Sequence, residues 1–232
     1  MAKVPATPPL DLAARTPRWA QWPRDARLWR IAPTTGPYAS AFATLRTVGP
    51  LLSARFDPHP DATATASGSE GVLYAAADLR TAVAERFQDA RELRRNQRDN
   101  PVVYVWFPTR VLRLIDLTDV GALRLGAAHA INSARKDVTR RWARALRSTW
   151  PDADGLRYTS AMTGRVCTAL WAPARDSFPP SADVRAAGER PGANVAAPPP
   201  CCCGGGRLQL RLIRGRHPVR RTHHWARPGA ES

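Results

Sequence analysis

The sequence has few lysines, few cysteines and no long apolar run, and each shortage excludes something. No stretch approaches the roughly 20 consecutive apolar residues that span a bilayer. Met1 to Leu10, with one lysine and an apolar stretch broken by proline, makes a poor signal peptide, so a cytoplasmic chain with no membrane partner is expected. Of four cysteines, Cys167 stands alone and Cys201, Cys202 and Cys203 are consecutive. Adjacent cysteines do not form a disulfide framework, and no C-x-x-C pair or histidine spacing suits zinc, so no metal is expected. Only Lys3 and Lys136 are lysines, so the formal charge of +16 is almost entirely arginine. Such a balance favours anionic partners, but the accompanying alanine and proline richness makes GC-rich coding the stronger reading. There is no G-x-G-x-x-G, no G-x-x-x-x-G-K-[ST], no H-E-x-x-H and no G-x-S-x-G, which argues against dinucleotide-fold dehydrogenases, P-loop enzymes, zinc proteases and serine hydrolases.

What is present is enough for one good-sized domain. The 232 residues are 44% apolar with eight tryptophans, ample for a core, and the 22 prolines gather near both ends. Residues 1–26 read as a mobile leader, 27–178 as the folded domain and 179–232 as a low-complexity, disordered tail. Within that tail the steps PPP-CCC-GGG look like a GC-rich gene read out of frame.

Between the ends the pattern is regular. Arg27 to Ile31, Gly71 to Ala76, Pro101 to Phe107, Val111 to Leu117, Leu156 to Met162 and Val166 to Trp171 read as strands from their β-branched and aromatic content. Asp78 is placed to cap a helix from Leu79 to about Arg95, whose apolar positions Leu79, Ala82, Val83, Phe87, Ala90 and Leu93 recur at helical spacing. A second helix, Asp137 to Trp150, has Val138, Trp142, Leu146 and Trp150 on one face. Its arginines, Arg140, Arg141, Arg144 and Arg147, read as a solvated face. Strands and helices mix without strict alternation, so the expected class is α+β.

Several polar residues fall where polarity needs a reason. Arg30 sits in an apolar strand, where an unpaired cation is costly. Arg55 opens RFDPHP, a turn stiffened by Pro58 and Pro60, and His59 lies within it. Tyr74 lies in the strand just before the first helix, Glu85 one step outside that helix's apolar arc, and Ser160 in the strand-like LRYTSAM. Each has a plainer reading. Arg30 suits a structural carboxylate such as Asp116, His59 a surface turn, and Tyr74 the core. Glu85 suits a surface pair with Arg86, and Ser160 an ordinary strand.

The order Arg–Arg–Tyr–Glu–Ser, carried by LWRIAP, SARFDPHP, GVLYAAADLRTAVAERFQD and GLRYTSAM, resembles the RES domain family over roughly Arg27 to Trp171. One departure is SARFDPHP, where many relatives carry G-G-R-W-N. The resemblance implies an ADP-ribosyltransferase-like core of short mixed strands with flanking helices. It also implies NAD as substrate, hydrolysed or phosphorolysed, and a toxin commonly held by a helix-turn-helix antitoxin that covers the active site. The implied catalytic residues are Glu85, Arg55 and Ser160, and the implied substrate-binding residues are Arg30, Tyr74 and His59. Two arginine forks match a pyrophosphate, and one carboxylate suits an oxocarbenium-like transition state. A nucleophilic serine does not fit, because no histidine or lysine base is paired with it in the sequence. Two other functions compete: ADP-ribosyl transfer to a protein or nucleic acid, and a non-catalytic basic nucleic-acid-binding module. Against the last, helix-turn-helix, zinc-finger and RRM signatures are missing, so nucleic acid is not the expected partner.

Overall fold

Runs rich in β-branched and aromatic residues become strands, and the 3.6-residue pattern of 136–149 becomes the main helix. The computed structural model describes residues 4–60, 65–66, 68, 70–89, 93–94, 99–186 and 212–213. The early elements in chain order are β1 (Trp19–Trp22), β2 (Leu28–Pro33), β3 (Val48–Gly49), β4 (Thr65–Ala66), β5 (Val72–Ala76) and α1 (Leu79–Arg86). Then come β6 (Leu93–Arg94), β7 (Pro101–Trp106), β8 (Leu112–Asp116), α2 (Gly121–Arg124) and α3 (Lys136–Thr149). The last are β9 (Gly155–Thr159), β10 (Val166–Trp171), β11 (Asp183–Ala186) and β12 (Leu212–Ile213).

The α+β class holds. Among the described residues eight strands form one sheet in the order β1-β8-β9-β10-β5-β2-β7-β11. Every neighbouring pair is antiparallel except β8 and β9. Strand β10 (VCTALW) is buried on both faces, as its nearly unbroken apolar run requires. Cys167, Ala169 and Trp171 point to the layer covered by Val138, Trp142, Ala143 and Leu146 of α3. Leu170 points to the opposite layer, where Leu28, Leu73, Leu114 and Trp106 lie with Phe42 and Phe178 packed against them. Gly164, at φ +70°, makes the reversal between β9 and β10.

At the centre of the sheet β2 and β5 share one Cα pair, Trp29↔Ala76. Beyond it the strands part. Arg46 takes over the far end of β5, exchanging both backbone hydrogen bonds with Val72 at 2.9 and 3.0 Å.

Four expectations need correction. The 1–26 segment is not a mobile leader over its described part: β1 pairs with β8, Leu12 and Trp22 are buried, and the Pro5 carbonyl accepts the Trp142 indole N–H at 3.0 Å. Tryptophan at both ends of β1 gives this short strand enough apolar surface to dock. Helix α1 ends at Arg86, not near Arg95. Its consecutive buried residues Thr81, Ala82, Val83 and Ala84 show a short helix plunged into the core, where a long amphipathic stripe has no purpose. Sheet pairing also continues past 178, with β11 beside β7; beyond β11 the tail, apart from β12, lies outside the described residues.

The α3 arginines are not a solvated face. Arg140 is buried and donates to the Leu52 carbonyl at 3.1 Å, Arg144 reaches the His59 carbonyl at 3.5 Å, and Arg147 pairs with Glu70 at 3.2 Å. Long arginine stems let one helix lie on the core while their forks satisfy carbonyls of the neighbouring loop.

Candidate functional site

The α3-covered face carries a row of polar side chains that its apolar surroundings do not explain. Tyr158 on β9 stands opposite Cys167 on β10, which stands opposite Ala76 on β5, and Tyr74 pairs with Ala169 in the adjoining row. Helix α1 follows β5 directly. Asp78 caps it by accepting from the Thr81 amide and hydroxyl, both at 2.9 Å, as its place before the first turn predicts. That start angle brings Glu85, half-buried, over the end of β9.

There the Ser160 hydroxyl donates to Glu85 Oε1 at 2.5 Å and accepts the amides of Met162 at 3.1 Å and Thr163 at 3.2 Å. A contact this short is typical of a charge-assisted hydrogen bond. With its proton directed at a carboxylate and its lone pairs taken by amides, Ser160 orients Glu85 and is a poor nucleophile. Thr81 and Thr163 tie the two elements a second time, hydroxyl to hydroxyl at 3.0 Å.

The groups beneath this pair stay protonated. Burial pushes the Cys167 thiol well up, and the Glu85 charge adds to it. The Tyr158 hydroxyl is raised by burial, then by Cys167 and Glu85. Tyr74 is raised as well, by burial and the Asp57 charge, with Arg46 opposing. A thiol held up in this way is not a ready thiolate, so Cys167 forms part of the floor and is not a nucleophile.

The SARFDPHP turn forms another wall. Phe56 is fully buried, its ring centroid 4.9 Å from that of Tyr158. Half-buried Arg55 points the other way and donates to the Ala134 carbonyl, close before α3. Asn132 links this corner to β9, accepting the Thr159 amide at 2.9 Å while donating to the Leu117 carbonyl at 3.1 Å.

The structure therefore brings Glu85 and Ser160 into contact, with Tyr74 and Arg55 on the same side of the sheet. Arg30 is elsewhere. Its strand parity is that of Leu28 and Ala32, on the opposite face, and its guanidinium donates to the carbonyls of Ala41, Phe42 and Thr44 and to the Ser40 hydroxyl, at 2.8–3.2 Å. Burial lowers its pKa to about 10. Among the described residues it pairs with no carboxylate; Asp116 is taken by Arg18 and Arg157. His59 is fully buried, neither a surface turn residue nor open to a ligand in this conformation, with Nδ1 2.6 Å from Asp57 Oδ1. A Cβ on Gly49 would come within 2.4 Å of its ring, so that neighbour has to be glycine.

Sequence reasoning missed Arg46, Asp57, Tyr158 and Cys167. The alternation of β9 and β10 placed Tyr158 and Cys167 on one face and was the available signal. Arg46 lies in irregular chain with no periodicity to reveal it. Among the described residues no three His, Cys, Asp or Glu side chains come together as a metal cluster, and no helix is long and apolar enough to cross a membrane.

Comparison with known proteins adds the following. A family model described as RES domain matches residues 27–189. No curated protein matches. Among solved structures, the M. tuberculosis MbcT–MbcA toxin–antitoxin complex contains a similar chain, 14% identical with a TM-score of 0.43, covering 76% of this chain and 90% of that one.

Proposed function

This chain belongs to the RES domain family, and from that premise we propose that it consumes NAD by breaking the bond between nicotinamide and ribose. The observation that carries this reading is the Glu85–Ser160 contact at 2.5 Å, which fixes one carboxylate between residues far apart in sequence. Nicotinamide leaves as a neutral ring from a pyridinium, so positive charge migrates onto the ribose in an oxocarbenium-like state. Glu85, held in one orientation, stabilises that charge and orients the attacking water or phosphate. Water gives ADP-ribose and releases a proton; phosphate gives ADP-ribose 1-phosphate.

In this account Arg55 exchanges the Ala134 carbonyl for a pyrophosphate oxygen, a better partner for a guanidinium fork. Tyr74 offers a half-buried ring against nicotinamide or ribose. Arg30 shapes the 40–44 loop and does not touch substrate. The reading extends to a toxin restrained by a helix-turn-helix antitoxin, which predicts growth arrest on expression of the wild type and none with Glu85→Gln.

The experiment is product analysis by chromatography after incubation with NAD, with and without inorganic phosphate. ADP-ribose or its 1-phosphate, formed with equimolar nicotinamide, is expected, and Arg55→Ala should raise KM. Intact NAD under both conditions, from folded protein free of any bound partner, would refute the reading.

A further inference from the structure

Asp57 has more partners than a turn residue needs. It is fully buried, and each carboxylate oxygen has two donors. Oδ2 accepts Arg46 Nη2 at 2.8 Å and the Leu51 amide at 2.9 Å, while Oδ1 accepts the His59 amide at 3.1 Å and lies 2.6 Å from the His59 ring. With every lone pair engaged it has nothing left to offer a substrate. Arg46 is in turn hooked to β5 through Val72, two residues before Tyr74, so the ion pair fastens the turn to the sheet.

The residue between Asp57 and Arg55 adds an independent observation. Phe56 has φ +54°, a left-handed conformation that a bulky side chain rarely adopts. Such a conformation persists only where the surroundings over-determine it, and it clusters at functional sites. Here the ring is pinned on Tyr158 on one side and Asp57 is pinned on the other. The consequence is geometric: the left-handed residue turns the chain so that Phe56 faces the core while Arg55 faces the corner by Ala134. Arg140 and Arg144 hold the neighbouring carbonyls of Leu52 and His59 from α3, so the whole turn is clamped from two sides.

We propose that Asp57, anchored by Arg46, is the positioning residue that aims Arg55 at the substrate, an inference that rests on the NAD-cleaving reading for what Arg55 grips. Its effect therefore appears in substrate binding and not in the bond-breaking step. Asp57→Asn keeps the shape and removes the charge. Nicotinamide release by that variant should show KM raised about tenfold or more, with kcat within about threefold of wild type. In an Arg55→Ala background the same substitution should change KM no further, because the two act as one unit. Arg46→Lys, which keeps the positive charge and loses the fork, should give a smaller rise in KM, and it carries the test if Asp57→Asn fails to fold.

A ligand-free measurement separates this inference from the reading beneath it. The Arg55 Nε–H resonance, assigned by its loss in Arg55→Lys, should be sharp in wild type and broadened in Asp57→Asn or Arg46→Lys. A wild type that releases no nicotinamide defeats the NAD reading, and the resonance then decides the positioning claim alone. An unchanged Arg55 resonance in the variants, a KM effect additive with Arg55→Ala, or a loss confined to kcat would overturn the proposal.

Discussion

One face of the eight-stranded sheet carries Tyr74, Tyr158 and Cys167 beneath Glu85 and Ser160, whereas the other holds Arg30, beside Tyr104, against the 40–44 loop. Both faces bury a layer of aliphatic and aromatic side chains, and both contain a polar group that the sequence marks as unusual. They differ in how that group is satisfied. On the far face Arg30 finds three backbone carbonyls and a hydroxyl, all within the 40–44 loop, and so closes a local structural circuit. On the near face Glu85 has one short contact from Ser160 and Arg55 has one carbonyl, leaving capacity that a ligand can use. A buried polar group with its bonding complete contributes to folding; one with capacity left over can do chemistry.

Substitutions on the two faces should break this symmetry in opposite ways. The largest effect belongs to Glu85→Gln, which should lower kcat for nicotinamide release by about a hundredfold or more while the thermal unfolding midpoint stays put. Arg30→Ala should do the reverse, lowering the unfolding free energy by about 2–4 kcal/mol through its orphaned carbonyls, with turnover per folded molecule within about threefold of wild type. Denaturant titration paired with the activity assay reads both, and loss of turnover by fully folded Arg30→Ala would return that residue to the site. Ser160→Ala should fall between, with turnover lowered about tenfold because Glu85 loses its orienting donor.

The smallest effect is a pH dependence. Burial alone would raise the Asp57 carboxyl, but the His59 ring, Arg46 and two backbone amides outweigh it and hold the group well below its usual value. A carboxyl depressed on folding stabilises the protein above its unfolded pKa of about 4 and loses that contribution as pH falls below it. The stability gap between wild type and Asp57→Asn should therefore be full at neutral pH and shrink in acid. A gap independent of pH would show that the charge of Asp57 is not what matters.

Much of this architecture was legible in the residues. The continuous run of β7 and β10, the Asp78 cap and the apolar stripe of α3 follow from local physics, and the helix start that Asp78 fixes is what carries Glu85 to Ser160. The family's residue order supplied the pair before any geometry did. What escaped depended on distant chain. The α3 arginines looked solvated because their acceptors, the carbonyls of Leu52 and His59, lie some 85 residues earlier in the sequence. Strand β1, four residues between Pro17 and Pro23, is too short for periodicity to reveal. Arg30 shared its parity with Leu28 and Ala32 from the outset, yet strand alternation says only that two faces differ, not which one carries the site.

The central claim is that Glu85, aligned by Ser160, makes this an NAD-cleaving site. It is tested most directly by nicotinamide release from NAD under single-turnover conditions, comparing wild type with Glu85→Gln. The account predicts stoichiometric release by the wild type and release slower by about a hundredfold or more in the variant. Equal rates from the two proteins, or no release from a folded wild type, would contradict it.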